Sequence, residues 1–184
     1  MRLRDEPGRL VSPAEFIPAA ERYSLMPSID RWVVKTALER VAYRGAPGSL
    51  CFEITETAAI ANLGNVVHFM RELKARGCHF ALDDFGSGLS SFLYLKTLPV
   101  DYLKIDGQFI ENVTRDPVDR SMVEAISQVG RAMGIRTIAE RVESAEVFAE
   151  LARLGIGFAQ GFHIAVPRPI AEFPYTSARA ATCS

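Results

Sequence analysis

Cys78-His79-Phe80-Ala81-Leu82-Asp83-Asp84-Phe85-Gly86-Ser87-Gly88 is an apolar run that closes on two adjacent carboxylates and then breaks into glycine. The run is too short for a helix and is bounded by turn residues, so residues 78–82 read as a buried strand. The same order recurs on both sides. Residues 49–54 (Ser-Leu-Cys-Phe-Glu-Ile) read as a strand closing on Glu53, and Tyr102 to Asp106 as a strand carrying Lys104. Ile135 to Glu140 and Gly157 to Gln160 add two more, each ending on a polar residue.

The intervening stretches have helical spacing and stop at glycine. Val66, Phe69, Met70 and Leu73 precede Gly77, and Val147, Phe148, Leu151 and Leu154 precede Gly155. Asp116 and Pro117 supply an N-cap and first helical residue for the stretch bearing Met122, Val123, Ile126, Val129 and Met133, which Gly134 ends. A short helix with Phe92, Leu93 and Leu95 is expected after the glycine loop.

Alternating strands and helices imply a parallel sheet covered by helices. An open sheet concentrates its site where strand order reverses, whereas a barrel gathers all strand ends on one face. Glu53, Asp83, Lys104, Glu140 and Gln160 all sit at strand ends, which favours the barrel. The expected fold is therefore α/β and TIM-barrel-like, (β/α)8, but incomplete. Barrels of this kind need ~250 residues, with ~200 near the minimum, and this chain has 184.

The front of the chain differs. Ser12-Pro13-Ala14-Glu15 is a capping box opening a helix expected to bury Phe16, Ile17 and Ala20. Ile29, Val33, Ala37 and Val41 trace one face of the next helix, and residues 43–49 (Tyr-Arg-Gly-Ala-Pro-Gly-Ser) are turn chemistry with no legible strand. The expected division is one barrel domain over residues 1–170 and a C-terminal tail over 171–184.

With 48% hydrophobic residues, 23% charged and a net charge of -1, the composition suits one substantial core. It offers no basic surplus for DNA or RNA. Cys51, Cys78 and Cys183 are scattered and indicate neither a disulfide framework nor a zinc site, and Cys51 and Cys78 read as small core residues. No apolar stretch approaches a membrane span and the N-terminus opens on Arg2 and Arg4, so a cytoplasmic location is expected.

Glu53, Asp83, Asp84 and Glu140 gathered on one face would repel one another unless a cation sat among them. An oxygen-only set suits Mg2+ or Mn2+, and two such ions can activate water and stabilise the leaving oxygen of a phosphoryl displacement. Lys104 would add positive charge for nonbridging oxygens or the nucleophilic water. Ordinary strand-end salt bridges account equally well for any one of these residues; the five strand ends together weigh against that.

As strings the segments are more specific. Phe52-Glu53-Ile54-Thr55-Glu56-Thr57, Ala81-Leu82-Asp83-Asp84-Phe85-Gly86-Ser87-Gly88 and Asp101-Tyr102-Leu103-Lys104-Ile105-Asp106 resemble the EITE, DDFG and KID motifs of the EAL domain family. Ile138-Ala139-Glu140-Arg141-Val142-Glu143 and Ala159-Gln160-Gly161 resemble its AExVE and QG motifs, in the family's order. The resemblance implies a (β/α)8-like barrel that hydrolyses cyclic-di-GMP to pGpG with Mg2+ or Mn2+ in the bacterial cytoplasm. It implies that Glu53 and Asp83 are metal ligands and that Asp84 holds the second ion. Lys104 and Glu140 would act on the attacking water, and Gln160 would support the metal–water network and the ligand. Glu56 would steady the loop after Asp84, a loop tied in this family to metal binding and dimerisation, so a homodimer through that loop and the helix after it is a further expectation.

The match also has gaps. Met1-Arg2 aligns with the end of the family's Glu-Ala-Leu-x-Arg segment, leaving Arg2 as the ligand-contacting arginine and the glutamate upstream of residue 1. A second metal ligand, the asparagine of an N-L-S strand, belongs between the Trp32 helix and the EITE strand, where residues 43–49 stand instead. Asn62 and Asn65 follow EITE and cannot replace it, and Arg141 puts a cation beside Glu140. Three readings are open at this point: a piece of an active phosphodiesterase, a domain that binds cyclic-di-GMP without cutting it, and an interaction scaffold.

Overall fold

The computed structural model of the chain describes residues 3–4, 7–42, 50–86 and 93–167. Arg2, residues 43–49, most of the glycine-rich stretch and residues 171–184 lie outside them. The chain divides into two compact units, Met1–Leu50 and Cys51–Ser184.

In the first unit, β1 (Leu3–Arg4) and β2 (Leu10–Val11) form an antiparallel pair, a feature too short to be legible in the sequence. Helix α1 (Pro13–Arg22) begins at Ser12, whose N–H donates to Glu15 at 3.2 Å, and α2 spans Met26–Ala42. Of the three apolar residues expected to bury α1, only Ala20 is fully buried; Phe16 and Ile17 are half-buried.

The second unit is built on β3 (Cys51–Thr55), β4 (His79–Phe85), β5 (Tyr102–Ile105), β6 (Arg136–Ala139) and β7 (Phe158–Ala159). All neighbouring pairs are parallel, in the order β3-β4-β5-β6-β7. Every strand therefore points its C-terminal end the same way, as in a TIM-barrel-like α/β fold. Among the described residues the sheet stays open, with β3 and β7 at its edges.

The connections are α3 (Glu56–Ala61) and α4 (Leu63–Lys74), a 3-10 turn at Tyr94–Lys96, α5 (Gly107–Glu111), α6 (Pro117–Met133) and α7 (Ala145–Arg153). Two of these, α3 and α5, were not legible, because stretches of six and five residues carry too little periodicity. Asp116 caps α6 by accepting from the N–H groups of Val118 (2.7 Å) and Asp119 (3.3 Å), and Gly134 ends it with φ 71°.

One sheet face carries Phe80, Leu82, Leu103, Ile105 and Ala139, all buried, and meets Val67, Met70 and Leu73 of α4 and Val123 and Ile126 of α6. Each such large side chain contributes about 1.5–3 kcal/mol on burial. Phe69 and Met122, expected on these helix faces, are exposed; Val67 joins Met70 and Leu73 as the buried stripe of α4, and the expected Val123 and Ile126 are buried on α6. Cys78 is buried but Cys51 is exposed, since Cys51 lies on the edge strand. At the N-terminal end of the sheet Asp101 takes Lys74 at 2.6 Å and the Phe80 N–H at 2.9 Å, tying α4 to the sheet.

Candidate active site

The strand register determines which residues share the other sheet face. Thr55 pairs with Asp83, Ala81 with Tyr102, Lys104 with Ile138, and Ile138 with Phe158. Because side chains alternate along a strand and paired residues point the same way, Glu53, Asp83, Lys104, Glu140 and Gln160 fall on one face at the C-terminal rim. The side-chain contacts agree. Lys104 Nζ lies 2.8 Å from Glu53, 2.7 Å from Asp83 and 2.5 Å from Glu140.

Lys104 is almost fully buried, at 2% exposure. Burial by itself would pull its pKa down; the close pairing with the carboxylates of Asp83, Glu140 and Glu53 outweighs that and raises it, so the side chain is an ammonium. Burial pushes Glu140 above the ordinary carboxylate range, opposed by Lys104 and reinforced by the charge of Asp83. Asp84 is also held up, by burial first and then by the neighbouring charges of Asp83 and Asp106. Asp106 was not singled out in the sequence. Its place in the KID string was the available signal, and here it also caps α5 through the Gln108 N–H at 2.9 Å.

Asp84 has φ 55°, and the β4–β5 register shifts between Leu82 and Phe85. This is a bulge, which re-aims side chains that would otherwise alternate. One oxygen each from Asp83, Asp84 and Glu140 consequently lies within 4.8 Å of the others. The donor set is hard oxygen, as Mg2+ or Mn2+ requires. Asp83 Oδ1 is moreover buried and, although 2.7 Å from Lys104 Nζ, has no well-directed hydrogen bond. A buried carboxylate oxygen in that condition fits a cation.

Gln160 is exposed beyond β7, and its backbone ties two loops together: its N–H donates to Ala139 at 2.8 Å and its carbonyl accepts from Val142 at 3.0 Å. A cleft of about 310 Å3 lies there, lined by Glu140, Arg141, Glu143, Gln160 and Phe162 among others. Glu143 and Phe162 were missed as site residues; Phe162 is 69% exposed, and its position just after the Gln-Gly pair was the only clue. Arg141, at φ 48°, pairs with Glu111 at 3.0 Å and lines the same cleft as Glu140. Glu56 is buried in the first turn of α3, where a carboxylate is favourable. The loop it was expected to steady, residues 87–92, and Arg2 lie outside the described residues.

Comparison with known proteins bears on this geometry. The chain is 39% identical to the cyclic di-GMP phosphodiesterase PdeB of Shewanella oneidensis over 208 positions, covering 94% of this chain and 24% of that protein. It is 31% identical to the cyclic di-GMP phosphodiesterase PdeF of Escherichia coli over 207 positions, covering 94% and 28%. The chain thus spans about a quarter of the length of these curated relatives. Both alignments are longer than the 184 residues of the chain, so the relatives carry residues inside the aligned region that this chain lacks. Among solved structures, a MucR phosphodiesterase–c-di-GMP complex superposes with TM-score 0.77 at 30% identity, covering 93% of this chain and 84% of the other. The FimX EAL domain from Pseudomonas aeruginosa bound to c-di-GMP gives 0.81 at 27%, covering 95% and 84%. The model of the EAL domain matches residues 40–167, more than half of the chain. With its strand ends, bulge and carboxylate cluster in the positions described, this chain belongs to the EAL domain family.

Proposed function

We propose that this chain carries the site of a metal-dependent phosphodiesterase that opens cyclic-di-GMP to pGpG. The observation that carries the reading is the gathering of Glu53, Asp83 and Glu140 around Lys104, with Asp84 alongside, at one strand-end rim. Asp83, Asp84 and Glu140 would hold one Mg2+ or Mn2+, and Glu53 with Asp83 would serve a second ion where one is bound. Bound there, the metal would supply charge for the attacking and leaving oxygens of the displacement. Glu140, whose burial raises its basicity, accepts a proton from the attacking water. Lys104 donates hydrogen bonds that orient that water and offset charge on the nonbridging oxygens. Gln160 and Arg2 would contact the ligand, and Glu56 would brace the loop after Asp84. A homodimer through that loop and the segment after it, and a cytoplasmic setting, belong to the same reading. Among the described residues no helix is long and apolar enough to cross a membrane.

The internal shortening of the chain relative to its relatives favours slow turnover. Removing a strand and its ligand lets the reacting groups drift, and small misplacements cost large factors in rate. The test is incubation of the chain with cyclic-di-GMP and Mn2+, following pGpG by chromatography, alongside a binding titration. Slow metal-dependent conversion supports the reading. Binding without conversion would make the domain a receptor, and neither would leave the scaffold.

A further inference from the structure

The geometry points to Lys104 as the resident counter-cation of the carboxylate ring, which a divalent metal must displace from Asp83 and Glu140. This rests on the metal-dependent reading of the same site. Two memberships overlap: Lys104 Nζ holds Glu53, Asp83 and Glu140, while the trio able to share one ion is Asp83, Asp84 and Glu140. Asp83 and Glu140 belong to both. An ion bound by the trio would stand within a few ångströms of a buried ammonium, where like charges repel far more strongly than in water.

The side chain has somewhere to go. Glu53 lies outside the trio, is 48% exposed, and already accepts from Nζ at 2.8 Å. Lysine's flexible stem and point charge allow the ammonium to withdraw toward Glu53 and surrender Asp83 and Glu140. Asp83 Oδ1, held at 2.7 Å without a well-directed hydrogen bond, is the contact most easily given up. Without metal, the same ammonium keeps the acidic ring from repelling itself. Lys104 therefore lowers metal affinity while preserving the apo site.

The test is Mn2+ binding, measured by calorimetry and by electron paramagnetic resonance of free Mn2+, with no nucleotide present. Lys104→Met and Lys104→Gln are compared with the parent chain, after thermal melts in EDTA confirm that each is folded. Both neutral variants should bind Mn2+ more tightly, by on the order of tenfold or more. Where Lys104→Met does not fold, Lys104→Gln, which keeps N–H donors for the ring, carries the comparison. Unchanged or weaker affinity in the folded variants would overturn the inference, as would failure of any variant to bind Mn2+. Failure of the phosphodiesterase reading would show separately, as an absence of pGpG from a protein that still binds metal.

Discussion

Asp83 and Asp84 are consecutive residues of one strand, yet each contributes an oxygen to a cluster within 4.8 Å that also includes Glu140. In regular strand geometry neighbouring side chains point to opposite faces. The bulge between Leu82 and Phe85, with Asp84 at φ 55°, breaks that alternation and brings Asp84 to the rim beside Asp83. Aspartate is among the few residues that adopt the left-handed region at modest cost. The local backbone cost is thus converted into a site that two carboxylates share.

Asp84 separates stability from function. Asp84→Gly removes the carboxylate but suits the backbone, so urea unfolding in EDTA should show unchanged or higher stability while Mn2+ binding falls. Asp84→Val should lose about 1–2 kcal/mol in the same measurement, because a β-branched residue is poorly tolerated at positive φ. Equal stability of the two variants would show that the bulge relaxes.

The pH dependence of the metal-free protein follows from the same groups. Asp84 and Glu140 have raised pKa values, so between the ordinary and raised values the folded state retains protons that the unfolded chain has lost. Their contribution to stability therefore falls as pH rises through that window, which begins near about pH 4. Asp101 acts oppositely: burial would raise it, but Lys74 and the Phe80 N–H hold it down, so its contribution is lost as pH falls through its lowered value. Asp84→Asn should flatten the decline above about pH 4. Denaturant midpoints across pH, in EDTA, check this; a slope unchanged by the substitution would contradict it.

Gly161 meets the backbone of Val142 so closely that a Cβ would collide with its N and O atoms. Backbone cannot yield as a flexible side chain can. Gly161→Ala should therefore separate the loops that Gln160 joins and cost about 1–3 kcal/mol, within the range for overpacking. Nucleotide affinity should fall alongside the melting temperature. A variant with parental stability and affinity would remove this contact from the account of the site.

Turnover should depend on residues that the aligned relatives carry and this chain lacks, which we propose include the N-L-S strand expected before β3. Inserting an N-L-S strand and its following helix between α2 and β3 should raise Mn2+-dependent pGpG formation by orders of magnitude, since positioning effects are of that size. Within that restored protein, Glu53→Ala or Asp83→Ala should abolish turnover. Chromatographic rates on the four proteins decide the matter. Rapid conversion by the unaltered chain would mean that other groups complete the metal site.

The sequence by itself determined the parallel sheet, its five strands and the rim residues. Apolar runs closing on Glu53, Asp83, Lys104, Glu140 and Gln160 are local patterns, and in parallel strands they set all five at the same end of the sheet without knowledge of the register. The caps at Asp116 and Gly134 were legible for the same reason, since capping acts within a few residues. Tertiary structure alone decided what depends on pairing between distant segments. The bulge that turns Asp84 to the rim arises from the mismatch of β4 with β5, and a pair Asp-Asp in sequence does not announce it. The gathering of Glu53, Asp83 and Glu140 on the buried Lys104 Nζ draws on separate strands, with Glu53 itself 51 residues from Lys104 in the chain. That Cys51 is exposed while Cys78 is buried follows from strand order, which sets β3 at the edge of the described sheet and β4 inside it. Local patterns specify which residues can face a rim; burial and charge pairing come from the neighbours that only the folded sheet supplies.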